Sequence, residues 1–363
     1  MFALKIKKEF AEEVRRILFK KGLVDKRYVF VKNGDYIEMP LLRRLKKEEI
    51  KLFKEQDVRI VNKKLPSKTL SKTPFETILE KAEKIGIKKD FLPRKWELVG
   101  DVLILKIQKR LEEQEKKFVG IYAKEIISQE KKIAEIYADV LNAKTVVKDE
   151  GIIGRNRKPK IKVLYGSSTE TVHKENKIRF KLDVSKTMFS SGNIDERIRT
   201  AYLSNENETV VDMFAGIGYF SVPMGVYSRP KKIFAYDLNP DAYHYLMENI
   251  NLNNVQSIVK PVLSDSRNAD ENVADRVIMG YLKNTKSFLS KALRILKHGG
   301  GIIHYHENYP NELLPETPFE NVKKIANQQG KNIKLLNFRN VKSYAPGVSH
   351  VVLDVKVSTQ SIL

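Results

Sequence analysis

The chain has 363 residues, is 42% hydrophobic, carries a formal charge of +22 and contains no cysteine. That length supports more than one core. The missing cysteine fits a reducing compartment, excludes disulfides, and removes any chemistry that needs a cysteine nucleophile or a cysteine-held iron–sulfur cluster. No apolar run reaches the roughly 18 residues of a spanning helix, and the start Met1–Glu9 lacks the long apolar stretch of a signal peptide, so the reading is no membrane and a cytoplasmic location. The charge is uneven: residues 1–180 hold 45 basic and 27 acidic residues, against 22 and 18 in the remainder. A Lys/Glu-rich surface adapted to heat would be balanced. The lopsided first half instead points to a polyanionic partner, a nucleic acid.

In chain order, residues 1–48 read as a small α/β module, with a strand at Phe2–Ile6 and a helix from Glu9 to Lys20 bearing Phe10, Val14, Ile17 and Leu18 on one stripe. Strands Tyr28–Lys32 and Tyr36–Met39 follow, with Asn33-Gly34 as a hairpin signal between them. The module is too small for an enzyme and suits an RNA-contacting appendage. Residues 49–85 read as a linker and short helix, the linker centred on 61–74 with Pro66 and Pro74. A middle α+β domain, expected to bind RNA, occupies 86–192: a strand near Glu97–Ile107, a helical stretch Leu111–Leu141, strands Thr145–Lys148 and Ile161–Tyr165, and a hairpin through Thr171–His173 and Ile178–Val184.

From 193 to 363 strands and helices alternate. Strands are expected at Thr209–Asp212, Lys232–Tyr236, Ile258–Leu263, Arg276–Met279 and Gly301–Tyr305. Helices are expected at Tyr219–Tyr227, Asp241–Asn251, Thr285–Leu296 and near Phe319–Gln329. Two closing strands, Ile333–Lys342 and His350–Val357, suit an antiparallel edge. Such alternation means an α/β fold: a Rossmann-like, mostly parallel sheet of seven strands with helices on both faces.

The strand Thr209–Asp212 runs into Met213-Phe214-Ala215-Gly216-Ile217-Gly218, which opens a helix. Glycines there let the backbone turn tightly and approach a ligand. Asp237 ends the next strand, nineteen residues past Gly218, and Asp265 ends the third. Acids at successive strand ends converge on one crevice. A dinucleotide site is the rival reading, but Phe220 stands near the third glycine position of G-x-G-x-x-G. An acid before the first glycine and another after the next strand suit S-adenosylmethionine better. It has no pyrophosphate to cradle, and its amino group needs an anion.

The fourth strand ends in Gly280-Tyr281-Leu282 rather than the Asn/Asp-Pro-Pro-aromatic string of exocyclic-amine methyltransferases. Arg155 and Arg157 precede the strand Ile161–Tyr165, and Glu196 and Arg197 open the last domain. A carboxylate and an arginine beside a cofactor can accept a proton and stabilise charge; equally, each can be a solvated surface charge. His304 and His306 share a strand face, with no third ligand at metal-binding spacing, so a core or pocket role is preferred and no metal is expected. Tyr305, Tyr309 and Tyr344 can stack on bases or simply pack.

The string Phe180–Asn193, then Glu196-Arg197, Asp212–Gly218, Asp275–Tyr281, Ile303–His306 and Tyr344–Val348, resembles the archaeal wybutosine-synthesising aminocarboxypropyltransferases over residues 90–357. These are close relatives of the tRNA guanosine-N1 methyltransferases that act beside the anticodon. The resemblance implies transfer of the 3-amino-3-carboxypropyl group of S-adenosylmethionine to carbon 7 of 4-demethylwyosine in phenylalanine tRNA; a monomer is expected. The methyltransferases end the fourth strand in Asn-Leu-Pro where this chain has Gly280-Tyr281-Leu282, and carry Tyr-Phe-Asn/Ser-Pro-Arg where it has Met188–Gly192. By the same resemblance Ser190, Arg197, Asp237 and Asp265 would hold the cofactor together with the Asp212–Gly218 turn, through Asp212, Phe214, Ala215, Gly216 and Gly218. Arg157 and Glu196 would meet the reacting base, and Gly280, Tyr281, His304 and Tyr344 would form the substrate pocket. Asp237 stands where the family often has Glu, and Ser349 where a Trp is usual. Residues 1–45 resemble the N-terminal domain of the tRNA methyltransferases, which keeps open a guanosine-N1 methyltransferase or an enzyme with both activities. A catalytically silent tRNA-binding protein is the reading from another class.

Overall fold

The computed structural model describes residues 1–53, 58–67, 72–107, 121–153 and 158–359. They form two compact units, Met1–Thr73 and Pro74–Leu363. The first contains β1 (Phe2–Lys7), α1 (Ala11–Lys20), β2 (Val31–Asn33), β3 (Tyr36–Leu41), a one-turn helix α2 (Lys47–Ile50) and β4 (Arg59–Asn62). Its strands make an antiparallel sheet in the order β2-β3-β1-β4. Leu4 and Ile6, two apart on β1, share a face and pack with Val14 and Leu18, four apart on α1, and with Met39, Leu41 and Phe53.

Two expectations change here. Asn33 pairs with Tyr36, so the tight turn is Gly34-Asp35, one residue later than the Asn33-Gly34 signal, and Gly34 takes the left-handed φ of 59°. The linker expected from residue 61 overlaps β4, which pairs with β1 from Phe2↔Asn62 to Lys5↔Arg59. Four residues are too few to display a period of two, and the partner strand lies at the other end of the unit's sequence.

The second unit opens with α3 (Pro74–Lys84), the hairpin β5 (Trp96–Val99) and β6 (Val102–Leu105), α4 (Ile121–Leu141), β7 (Thr145–Ile153) and β8 (Lys158–Tyr165). The single strand expected at Glu97–Ile107 is thus a hairpin, turned at Gly100 with φ 58°. The part of the expected helix before residue 121 lies outside the described residues. Strands β6 and β7 are parallel, joined by a crossover containing α4, in a sheet of order β5-β6-β7-β8. Ile78 and Ala82 of α3, Ile133 and Tyr137 of α4, and Leu103, Leu105 and Val146 of the sheet close one core.

After the antiparallel pair β9 (Glu170–Glu175) and β10 (Ile178–Asp183) comes α5 (Ile194–Thr200), then β11 (Thr209–Asp212), α6 (Ser221–Tyr227), β12 (Lys232–Asp237), α7 (Pro240–Leu252), β13 (Val259–Leu263), β14 (Arg276–Met279), α8 (Leu289–Ile295), β15 (Gly301–Pro310), α9 (Glu316–Asn327), β16 (Lys331–Ala345) and β17 (Val348–Thr359). The seven-stranded sheet runs β13-β12-β11-β14-β15-β17-β16. Strands β11 to β15 are mutually parallel, and β17 is antiparallel to both its neighbours. Consecutive strand residues face opposite ways, so Val210 enters the core with Leu246 while Val211 enters the other with Leu293. The connection order reverses between β11 and β14, the switch point where the ends of parallel strands leave a crevice. Strand β10 is tied to α7 by asparagines that copy a neighbouring strand. Asn249 Oδ1 accepts from the Lys181 N–H at 2.6 Å and its Nδ2 donates to the Lys181 carbonyl, and Asn253 repeats this at Arg179.

Candidate functional site

At the switch point a cleft of about 850 Å³ opens, within the size of pockets that take drug-sized ligands. Its floor is the turn after β11. Asp212 is fully buried beneath it: its carboxylate accepts from Ser221 Oγ at 2.6 Å and from the Phe214 N–H at 3.2 Å. Burial pushes this carboxyl up to about 6. Gly216 and Gly218 have φ of 58° and 96°. A Cβ on Gly216 would also lie 2.7 Å from the ring of Tyr219, and one on Gly218 2.6 Å from Val222. Both positions therefore need glycine twice over.

Asp237 ends β12 and crosses back to the turn. Its Oδ2 accepts from the Gly216 N–H at 2.7 Å and its Oδ1 from the Asn239 N–H at 2.8 Å. Each oxygen keeps a lone pair for a ligand, and burial raises the carboxyl above its ordinary range. Asp265, after β13, is bridged by Arg267 at 2.6 Å, which lowers its pKa. Phe214 stacks on Tyr281 with ring centroids 4.9 Å apart and meets Phe288 edge-on, giving the cleft an apolar wall.

Of the residues singled out in the sequence, Ser190, Arg197, Phe214, Gly216, Asp237, Asp265, Gly280, Tyr281 and Tyr344 line the cleft together. Asp212, Ala215 and Gly218 belong to the turn but do not line it. Arg197 is present with its guanidinium already occupied: it clamps both oxygens of Glu175 and donates to the Ser190 carbonyl at 2.8 Å.

Two expected site residues lie elsewhere. Glu196 is completely buried, its carboxylate held by Arg199 at 2.6 and 2.9 Å and by Thr200, with Arg339 at 3.6 Å. His304 lies mid-strand, with Arg276 Nη1 2.6 Å from its Nε2 and Asp354 2.5 Å from its Nδ1. An arginine only donates, so Nε2 accepts and Nδ1 carries the proton to Asp354. The ring is neutral, and burial lowers its pKa. Asp354 in turn binds Arg199 at 2.6 Å. These side chains form one buried chain of ion pairs and hydrogen bonds, and neither Glu196 nor His304 opens on the cleft. His306 pairs with His350 at 3.2 Å in the same interior. Arg157 lies outside the described residues.

The structure adds side chains that the sequence did not suggest, chiefly Tyr219, Arg267 and Lys342. Tyr219 sits inside the glycine turn and was visible only as a helix opener. Lys342 arrives from β16 and carries no local signal. Among the described residues no group of three or more His, Asp or Glu is arranged to hold a metal, and no helix is long and apolar enough to cross a membrane.

The site suits a nucleoside bearing an amino-acid arm. A backbone-anchored carboxylate at the end of β12 can accept from hydroxyl groups, bare glycines allow close approach, and aromatic rings wall the cleft. Comparison with known proteins agrees. The TRM5/TYW2 methyltransferase domain matches residues 171–336, the TYW2 N-terminal domain 76–169 and the tRNA methyltransferase 5 N-terminal domain 3–49. The tRNA(Phe) (4-demethylwyosine(37)-C(7)) aminocarboxypropyltransferase of Pyrococcus horikoshii is 45% identical over 267 residues, 73% of this chain and 90% of that one. The crystal structure of P. horikoshii TYW2 in complex with MeSAdo superposes with a TM-score of 0.67 at 41% identity, covering 78% of this chain and 98% of that one. The tRNA (guanine(37)-N(1))-methyltransferase Trm5b of Pyrococcus abyssi is 32% identical over 98% of this chain and 99% of its own. The chain belongs to the TRM5/TYW2 family, among the archaeal wybutosine-synthesising aminocarboxypropyltransferases and beside the guanine-N1 methyltransferases.

Proposed function

We propose that this chain transfers the 3-amino-3-carboxypropyl group of S-adenosylmethionine to carbon 7 of 4-demethylwyosine, next to the anticodon of phenylalanine tRNA. The carrying observation is the 45% identity to an aminocarboxypropyltransferase over 90% of that enzyme's length. The cleft floor supports the same branch. Strand β14 runs into Gly280-Tyr281-Leu282 where the methyltransferases carry Asn-Leu-Pro, and a Cβ on Gly280 would lie 2.8 Å from the Phe220 ring.

When bound, S-adenosylmethionine supplies a sulfonium with three electrophilic carbons, of which the one aimed at the nucleophile reacts. The chain's part is then mostly positioning. Asp237 takes the ribose hydroxyls, Asp265 closes the nucleoside end, and Phe214 with Tyr281 covers an aromatic face. Ser190 faces the arm, while Arg197 holds the Ser190 loop against Glu175. Tyr344 and Gly280 border the space for the base. Arg157 meets the base from the middle domain. Glu196 acts at one remove, as the buried acid that fixes Arg199 and the helix start. The basic first half of the chain, including the module at 1–48, follows the tRNA backbone, and the chain acts as a monomer.

A second reading, guanosine-N1 methylation or both activities, is favoured by one finding, the match of the tRNA methyltransferase 5 N-terminal domain to residues 3–49. One experiment separates the two. The enzyme is incubated with tRNA bearing 4-demethylwyosine or plain guanosine, and with S-adenosylmethionine labelled separately in the methyl and the carboxypropyl carbons. Carboxypropyl label is expected in the tricyclic base. Methyl label in guanosine tRNA, with no carboxypropyl label, overturns the proposal.

A further inference from the structure

Four described cations line the cleft: Lys186, Arg197, Arg267 and Lys342. Arg197 is clamped by Glu175 and Arg267 by Asp265, while Lys186 sits in the field of Asp183. Lys342 differs. Its Nζ donates to the neutral Ser190 Oγ at 2.6 Å, and among the described residues it has no salt-bridge partner. Glu97 attracts it from a distance, with its own Oε1 taken by the Ser191 N–H. The ammonium is about half buried, and that burial holds it below its ordinary range.

Its place is built in from two sides. Lys342 pairs across the ladder with His350, which leads to the buried His306. On the other side a Cβ on Gly192 would lie 2.9 Å from Lys342 Cδ and 3.2 Å from Nζ. Gly192 has no left-handed φ, and the end of the lysine side chain is its neighbour on that side. Ser190 Oγ accepts from Lys342 and therefore still has its own hydrogen to donate. Two donors thus lie side by side, and the pairing suits the two oxygens of a carboxylate.

We infer that Lys342 and Ser190 form the subsite that receives the carboxylate of the donor's amino-acid arm. This rests on the proposed function and deepens it, because the arm is the group transferred and is the one part of the donor that carries a carboxylate. Fixing that carboxylate beside β16 sets which sulfonium carbon faces the base. A half-buried ammonium with no carboxylate of its own favours an incoming one more than an already paired guanidinium does.

The test is binding of three ligands to the full chain by calorimetry: S-adenosylmethionine, its decarboxylated form, and 5′-methylthioadenosine, which lacks the arm. Lys342→Gln should weaken S-adenosylmethionine by about 10- to 100-fold and leave the other two within about twofold, which also shows that the site is folded. Unchanged S-adenosylmethionine affinity in Lys342→Gln overturns the inference, and so does equal weakening of all three ligands. Failure of the wild-type chain to bind either S-adenosylmethionine or 5′-methylthioadenosine overturns the proposed function itself, a separate outcome.

Discussion

The ends of β11, β12 and β13 and the middles of β15 and β17 both gather ionisable side chains on the same sheet, yet they serve different purposes. At the strand ends Asp237, anchored by the Gly216 and Asn239 N–H groups, and Asp265, held by Arg267, line the cleft, while Asp212 lies buried beneath the turn. In the interior each polar group is met by a partner: Arg276 at the start of β14, the neutral His304 in the middle of β15, Asp354 in the middle of β17, and Arg199 and Glu196 of α5 follow one another. A side chain at a strand end can leave the sheet, whereas one in the middle is covered by the packed layer and must be neutralised where it stands. Position along the strand, more than residue type, separates the two uses.

Perturbing the two regions should therefore give opposite phenotypes. The largest effect is expected from Asp354→Ala, which leaves the buried His304 Nδ1–H without its acceptor and takes one of two carboxylates from Arg199, and should cost about 3–5 kcal/mol in denaturant unfolding. S-adenosylmethionine affinity of the surviving folded fraction should stay within about twofold; a large loss of affinity would join the interior chain to the site.

Next is a pH effect that isolates Asp212. Its carboxyl is raised from 3.8 to about 6 in the folded chain, so the folded state keeps a proton that the unfolded chain has released. Stability from this group is full below about 4, falls as pH rises through 4–6 by on the order of 3 kcal/mol, and levels off above that. The sign is opposite for Asp354, whose carboxyl is held down by His304 and Arg199; its contribution is present above the unfolded pKa and is lost only as acid approaches the folded one. Subtracting the unfolding curve of Asp212→Asn from that of the wild type should leave the 4–6 slope. A flat difference would place the Asp212 carboxyl in the ordinary range.

The smallest of the three is Asp237→Ala. It should weaken S-adenosylmethionine about 100-fold, close to 2.7 kcal/mol, and move the melting temperature by only a few degrees, because the lost hydrogen bonds come from a cleft-facing turn. Normal binding would misplace the site.

Much of the site was legible because its signals are local. A β-branched strand ending in an acid, glycines two apart, a helix, and a second strand closing on Asp237 are all contained within residues 209–237, and parallel strands bring their ends to one side. The differences between expectation and structure lie where local and distant information part. Glu196 and His304 carry residue types suited to catalysis, but partners 155 and 50 positions away in their neighbourhood, through Arg199–Asp354 and His304–Asp354, bury them. The strand β4 looked like linker because its evidence is the β1 edge, far off in the chain.

By itself the sequence determined the alternation of strands and helices, the glycine turn after Asp212 and the acids at successive strand ends, since backbone conformation and strand direction follow from residues a few positions apart. Tertiary structure alone decided which polar residues reach the cleft. It carried Lys342 from the β16 edge to Ser190, set the Phe220 ring against Gly280, and enclosed His304 and Glu196 among charges. Those outcomes depend on antiparallel register and on packing between segments distant in the chain, which no local pattern records.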